Sequence, residues 1–287
     1  VGTLRHLTGF ASLAEEFDGF IIDLWGVVHD GVNALPGAIE CLARLRDTGK
    51  PTVMLSNAPR RSSALRVSMQ TMGIADTLYG DIMSSGEAVH IALRDRPDAW
   101  WSSLGNRVFH LGPERDRNVI AGLDLVLQDS PHSADFVLNT GPDDHRNPTK
   151  LAEFEPILRD CLRADLRMIC ANPDLEVIRD GVRVLCAGAL AELYDSWGGD
   201  VRSLGKPDPA IYRPTIALLR TPSDRVLAVG DSLRTDIAGA TAAGLASCWV
   251  LGGLHGDALG TNGFSLADAA VQDAGLLPIA SIPRFIW

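Results

Sequence analysis

Two stretches far apart in the chain share one pattern: an apolar run that closes on a carboxylate and breaks at once into a turn. The first is Phe20-Ile21-Ile22-Asp23, with Gly26 soon after. The second is Val226-Leu227-Ala228-Val229-Gly230-Asp231. An unalternating apolar run of about five residues suits a parallel strand buried on both faces. Open α/β sheets take their ligands at the carboxyl ends of such strands, which is where both acids would stand. Either Asp alone reads as an ordinary turn or helix cap; the recurrence is what constrains the fold.

Strand-like and helical patterns alternate between these two stretches, as in βαβ architecture. A helix is expected from Pro36 to about Thr48, a strand over Thr52–Leu55 ending in Ser56-Asn57, and a helix from Pro59 to about Met72. From about Ser85 to Gly188 a second alternation runs, with strands expected over Arg107–Leu111, Asp124–Leu127, Phe136–Asn139 and Met168–Cys170 and helices over Glu87–Leu93 and Leu151–Leu162. That is too long for a structureless loop, so an inserted domain is expected. Helices are then expected over Leu190–Trp197, Ala210–Leu219 and Thr235–Ala243, with a last clear strand over Ser247–Leu251. The tail from about 261 is weakly patterned, and Pro278 and Pro283 limit regular structure there. The expected fold is α/β: a Rossmann-like parallel-sheet core from residues 1–84 and 190–287, with an α/β cap domain at 85–189.

A formal net charge of −10 argues against a nucleic-acid partner, which needs a basic face. The five cysteines include no CxxC pair, so neither a zinc site nor a disulfide framework is signalled, and buried thiols of a reducing compartment are expected. No apolar stretch approaches the roughly 18 residues of a membrane span. Val1 to Glu16 lack a signal-peptide pattern, so a cytoplasmic location is expected. The chain opens without Met, so a start inside a longer chain or after processing is expected. A homodimer is left open.

Four strand-end or helix-start sites can converge on one crevice: Asp23; Ser56-Asn57; Lys206 in Gly205-Lys206-Pro207-Asp208; and Asp231 with Asp236. Two carboxylates at adjacent strand ends, with no soft ligand nearby, suit Mg²⁺. A hydroxyl, an amide and an ammonium suit phosphoryl oxygens. Together they suit phosphoryl transfer through an aspartyl-phosphate. Elsewhere, Trp100-Trp101 reads as a core or surface anchor rather than a stacking platform, and His132, Asp135, Asp143, Asp144 and His145 read as a polar loop rather than a second metal site.

With these residues the chain resembles the haloacid dehalogenase-like superfamily, nearest its sugar-phosphatase and p-nitrophenyl-phosphatase branch with an α/β cap of the class IIA type. FIIDLWGVVHDG, VMLSNAPR, GKPDPAIY and VLAVGDSLRTDIAGA fill its four motifs in order. The resemblance implies Asp23 as nucleophile and Mg²⁺ ligand, the backbone carbonyl of Trp25 and Asp231 as further ligands, and Asp236 supporting them. It implies Gly26, Ser56, Asn57 and Lys206 around the phosphate, and Asn172 and Asp174 as substrate contacts from the cap. The implied substrate is a small phosphorylated metabolite, a sugar phosphate or similar.

One position departs from that pattern. The superfamily's phosphatases usually carry a second Asp two residues after the nucleophile, and here Trp25 stands there. An indole cannot protonate a leaving alkoxide, a service worth about 10²–10⁴ in rate. Three consequences are open: His29 substitutes as the acid, weighed against the plainer reading of a solvated or locally hydrogen-bonded flap histidine; the substrate has a leaving group that needs little protonation; or the protein binds a phosphorylated ligand with weak turnover. Carbon–halogen hydrolysis is a further alternative, against which the intact Gly230–Asp236 segment argues.

Overall fold

The computed structural model describes residues 4–179, 181–252 and 263–287. The strands, in chain order, are β1 (Arg5–His6), β2 (Gly19–Ile22), β3 (Thr52–Ser56), β4 (Asp81–Ser84), β5 (Arg107–Leu111), β6 (Val126–Gln128), β7 (Phe136–Asn139), β8 (Arg167–Cys170), β9 (Glu176–Arg179), β10 (Val182–Leu185), β11 (Val201–Ser203), β12 (Val226–Gly230), β13 (Ala246–Val250) and β14 (Ala280–Ile282). The chain divides into two units: Val1–Ser56, Ser63–Met83 and Lys206–Trp287 form the first; Asn57–Ser62 and Ser84–Gly205 form the second.

The first unit is built on a seven-stranded sheet of order β1-β14-β13-β12-β2-β3-β4, and its pairings from β1 through β3 are parallel. β2, β3 and β12 are buried at every residue. That is why their sequences run apolar without alternation. The carboxylate-closed strands β2 and β12 are neighbours.

The second unit has a five-stranded sheet, β11-β8-β7-β5-β6, and a separate antiparallel pair, β9 and β10. Side chains that alternate along its strands enter two different cores, as the two-residue period requires. Val137, Met168 and Cys170 pack with Leu158, Leu190 and Tyr194, which come from helices Glu155–Arg163 and Ala187–Ser196. Phe136, Leu138 and Ile169 pack with Val89, Leu93 and Trp101 on the opposite face.

The second unit extends to Gly205 rather than ending at residue 189. The helix Ala187–Ser196 packs on β7 and β8, and β11 pairs with β8, so residues 190–205 complete its sheet and core. Residues 57–62 also belong to it, because Arg61 and the Ser62 N–H both bind the Glu87 carboxylate. The tail carries more structure than its composition suggests. A helix spans Gly263–Asp273, and β14 lies between β1 and β13 despite the flanking prolines; residues 261 and 262 lie outside the described residues. The expected helix from Thr235 begins instead as a π-turn over Leu233–Ile237, followed by an α-helix over Ala238–Ala242.

Candidate active site

Strand register sets the site. Ile22 on β2 is level with Met54 on β3 and with Val229 on β12. One step onward, Asp23 is level with Leu55 and Gly230; the next step reaches Ser56 and Asp231. Adjacent strands therefore present Asp23, Ser56 and Asp231 at one edge of one sheet, and all three are buried.

The turn after β12 brings in Asp236. Ser232 caps it, its hydroxyl accepting from the Thr235 N–H, while the Asp236 and Ile237 N–H groups both donate to the Ser232 carbonyl at 3.0 and 3.1 Å. That wide turn folds Asp236 back over Gly230. A Cβ at position 230 would lie 2.1 Å from Asp236 Cγ, so only glycine leaves room for this carboxylate. Tyr212 donates its hydroxyl to the Asp236 carbonyl at 3.2 Å, and the Trp249 indole N–H donates to the Asp231 carbonyl at 2.8 Å. Both aromatics fix the loop backbone that carries the acids.

Lys206 closes the constellation. Its Nζ donates to Asp23 Oδ1 and Asp236 Oδ1, each at 2.6 Å, and to the Leu55 carbonyl at 3.2 Å. The other Asp236 oxygen accepts from the Ser232 N–H at 3.1 Å. Carboxylate oxygens of Asp23, Asp231 and Asp236 lie within 4.8 Å of one another, the one such grouping among the described residues.

Three carboxylates face one ammonium, a formal excess of two negative charges in a buried pocket. Burial and the neighbouring Asp236 push the Asp23 carboxyl well above the usual carboxylate range, with Asp231 adding to this and Lys206 opposing it. Burial alone would lower the Lys206 ammonium; Asp23 and Asp236 outweigh it and hold its pKa well above the ordinary lysine value. An all-oxygen donor set with two uncompensated negative charges fits one hard divalent cation such as Mg²⁺. Both Asp236 oxygens are engaged by Lys206 and Ser232, which leaves Asp23 and Asp231 as the carboxylates to face such an ion. The Trp25 carbonyl takes no part in its turn's hydrogen bonds, which suits the ligand role expected of it.

The turn after Asp23 changes two expectations. Gly26 sits at φ +79° and its N–H donates to the His29 carbonyl at 2.9 Å, so that N–H is spent on the turn and not on phosphate. His29 accepts the Gly31 N–H on Nδ1 at 3.0 Å. An imidazolium carries protons on both nitrogens, so protonating His29 would set two N–H groups against each other. His29 thus fastens the turn and is a poor general acid. The Trp25 indole lies edge-on to His29 and covers Gly31, where an added Cβ would lie 2.2 Å from the ring. Trp25 is built into the turn as packing.

In the second unit Asn57, Asn172 and Asp174 come together, but they bind one another. Asn57 Nδ2 donates to Asp174 Oδ1 at 2.9 Å, and the Asp174 N–H donates to Asn172 Oδ1 at 3.0 Å. Asp135 pairs with Arg107, and Asp143 caps the turn at His145 and Arg146. Trp100 is an anchor, with Arg202 and Arg167 over its ring and its N–H on Asp200. All five cysteines are free and buried. The site residues missing from the sequence reading are Gly230 as spacer, Ser232, Tyr212 and Trp249. Ser232, four residues before Asp236, carried a helix-cap signal; the two aromatics act from distant segments and gave none.

Comparison with known proteins agrees with this geometry. A haloacid dehalogenase-like hydrolase family model matches residues 20–126, and a HAD-hydrolase-like model matches residues 203–273. Chronophin of Rattus norvegicus is 31% identical over 228 residues, covering 76% of this chain and 71% of that protein. The chain belongs to the haloacid dehalogenase-like hydrolases. Another relative of this hydrolase, the D-glycerol 3-phosphate phosphatase of Mycobacterium tuberculosis, is 30% identical over 251 residues, 85% of this chain and 65% of that one. Among solved structures, a haloacid dehalogenase-like hydrolase from Brucella suis superposes with a TM-score of 0.84 at 29% identity, covering 98% of this chain and all of the other. The glycerol phosphate phosphatase of Mycobacterium tuberculosis in complex with magnesium gives 0.65 at 28% identity, covering 84% of this hydrolase and 70% of that chain. No helix among the described residues is long and apolar enough to cross a membrane.

Proposed function

We propose that this hydrolase is a Mg²⁺-dependent phosphatase of small phosphorylated metabolites, with Asp23 as nucleophile. The observation that carries the reading is Lys206 bridging Asp23 and Asp236 at 2.6 Å within a group of three buried acids. Lys206 occupies Oδ1 of Asp23, which leaves Oδ2 to attack phosphorus. The phosphorus–Oδ2 bond forms as the ester's phosphorus–oxygen bond breaks, giving an acyl phosphate and a leaving oxyanion that takes its proton from solvent; water then attacks that phosphorus, the phosphorus–Oδ2 bond breaks, and phosphate leaves with the water's oxygen while its proton passes to solvent and the carboxylate is restored. Asp23 and Asp231 would hold Mg²⁺ with the Trp25 carbonyl, and the ion would neutralise charge spreading over the phosphoryl oxygens. Lys206 supplies a fixed positive charge beside the nucleophile, and Ser56, at the next strand end, contributes a hydroxyl toward the phosphate. That relatives are named as phosphatases of small phosphate esters supports the same reading.

Trp25 narrows it. With an indole built into the turn and His29 employed in holding it, no side chain of the turn is suited to protonate an alkoxide. Substrates whose leaving group departs without a proton, such as aryl or acyl phosphates, are then favoured; alkyl phosphates are bound and turned over slowly. The test is hydrolysis of p-nitrophenyl phosphate beside glycerol 3-phosphate, with Mg²⁺ and with EDTA, in the native protein and in Asp23→Asn. Release of phosphate that depends on both Mg²⁺ and Asp23 is expected. Activity undiminished by EDTA or by Asp23→Asn refutes the mechanism, and equal fast rates on both esters refute the role given to Trp25.

A further inference from the structure

Away from the strand ends, the second unit gathers three arginines around one buried carboxylate. Asp116 lies in the 3₁₀ turn Glu114–Ile120 and is 3% exposed. Its Oδ1 is shut off from solvent and has no hydrogen-bond partner. Arg60 Nε stands 3.7 Å from that oxygen and Arg115 Nε 3.9 Å, both beyond hydrogen-bond reach. Arg179, at the end of β9, is close enough for its charge to act on both Asp116 and Arg60.

The backbone that carries these side chains is anchored on both sides. The Arg60 carbonyl accepts from Ser84 Oγ at 2.6 Å, and the Ala58 carbonyl accepts from the Gly86 N–H at 3.1 Å. Gly86 packs so tightly that a Cβ there would lie 2.5 Å from the Arg60 nitrogen. Arg61 is fixed by two bonds to Glu87, at 2.8 and 3.0 Å. On the other side the Asp116 N–H donates to the Pro113 carbonyl at 3.0 Å.

Three guanidinium groups against one carboxylate leave two positive charges in excess. Asp144 approaches Arg115 only to 3.9 Å, and its side chain is 63% exposed, so water screens most of its effect. An ionised Asp can only accept hydrogen bonds, and a buried acceptor left without a donor costs about 1–3 kcal/mol. A ligand suited to this place brings an anionic group for the arginines and a neutral donor for Asp116 Oδ1. A cationic donor is excluded by the same three guanidinium groups.

We infer that Arg60, Arg115, Arg179 and Asp116 form a binding site for a hydroxylated organic anion, the arginines taking its carboxylate or phosphate and Asp116 accepting its hydroxyl. Two sources carry that chemistry: a free hydroxy acid, or the far end of a phosphate ester that bears a second acid group.

Calorimetric titration of the full chain in EDTA with malate, and with succinate as the same dianion lacking the hydroxyl, tests the site. Saturable malate binding is expected, about 10-fold tighter than succinate and weakened about 10-fold in both Arg115→Gln and Arg179→Gln. The Arg115 side chain is half exposed, and matching circular dichroism and melting temperatures in both variants would exclude a folding effect. No saturable malate binding, equal affinity for succinate, or affinity unchanged in the variants overturns the inference. The source is read from KM in Arg115→Gln. A rise for 3-phosphoglycerate with none for glycerol 3-phosphate assigns the site to the substrate's far end; unchanged KM with malate binding lost assigns it to a free acid. Only this kinetic arm rests on the phosphatase reading, so its failure leaves the titration standing.

Discussion

Lys206→Met tests the charge balance on which the site depends. The substitution keeps an unbranched side chain of similar length and removes only the ammonium. Lys206 is 3% exposed and donates to Asp23, Asp236 and the Leu55 carbonyl. Its loss turns a formal excess of two negative charges into three and strips two buried carboxylates of a partner at 2.6 Å. Removing one member of a buried ion pair costs about 3–5 kcal/mol. At about 2–4 °C per kcal/mol for a unit of this size, melting in EDTA should fall by roughly 10 °C. Mg²⁺ should return part of that loss, about 2.7 kcal/mol at one hundred times its dissociation constant. Lower pH should help as well. Without the ammonium, the folded pKa of Asp23 lies further above its unfolded value, so the folded state takes up protons as pH falls and gains stability down to the unfolded pKa. The assay is thermal unfolding followed by intrinsic tryptophan fluorescence, in EDTA and in Mg²⁺, at two pH values. A drop under about 1 kcal/mol, or one that neither Mg²⁺ nor acid reduces, would refute the account of three acids sharing one ammonium.

Three further outcomes are expected. Trp25→Asp should raise hydrolysis of glycerol 3-phosphate by about 10² or more while changing that of p-nitrophenyl phosphate far less; a gain equal on both esters, or absent, would show that residue 25 does not limit protonation. Gly230→Ala should cut phosphate release at least about 10²-fold with the fold retained by circular dichroism, because the added methyl displaces Asp236, whose Cγ is 2.1 Å from the new atom; near-native turnover would remove Asp236 from the machinery. Burial pushes the His110 imidazole from 6.5 down to about 4, and its Nδ1 has no partner. The unfolded chain therefore binds a proton that the folded one refuses. The His110 contribution is intact above pH 6.5 and is lost as pH falls toward 4, about 3 kcal/mol in all. His110→Gln should flatten urea-denaturation stability across that window, and an unchanged acid slope would place the titration elsewhere.

What was legible in the sequence is what depends on neighbours along the chain. β2, β3, β7 and β12 could be read because a strand buried on both faces needs an unbroken apolar run, whatever lies beside it. Asp23, Asp231, Asp236 and Lys206 could be read because each stands beside a local signal, a strand end or a turn; parallel register then brings Asp23 and Asp231 together, and the turn over Leu233–Ile237 adds Asp236. The misses share the opposite property. β1 has two residues and β14 three; β1 pairs with β14 across 275 positions of sequence, and β14 pairs in turn with β13. No local pattern encodes such a partner. The boundary at residue 189 failed for the same reason, since β11 belongs with β8 by pairing and not by composition.

His29 and Gly26 show a subtler limit, one of hydrogen-bond accounting rather than position. Both residue types suited the roles expected of them, and both lie in the turn after the nucleophile. Two of the nitrogens are already committed within that turn, Gly26 N–H to the His29 carbonyl and His29 Nδ1 to the Gly31 N–H. The turn packs the Trp25 indole over Gly31, and the Asp30 carboxylate holds its far side by accepting the Val32 and Asn33 N–H groups at 2.9 and 2.6 Å. The residue that stands in place of the acid therefore packs edge-on against a His29 whose Nδ1 already accepts the Gly31 N–H. Restoring Asp at position 25 while leaving His29 in place is for that reason the informative change: it supplies a proton donor without releasing the imidazole from the turn.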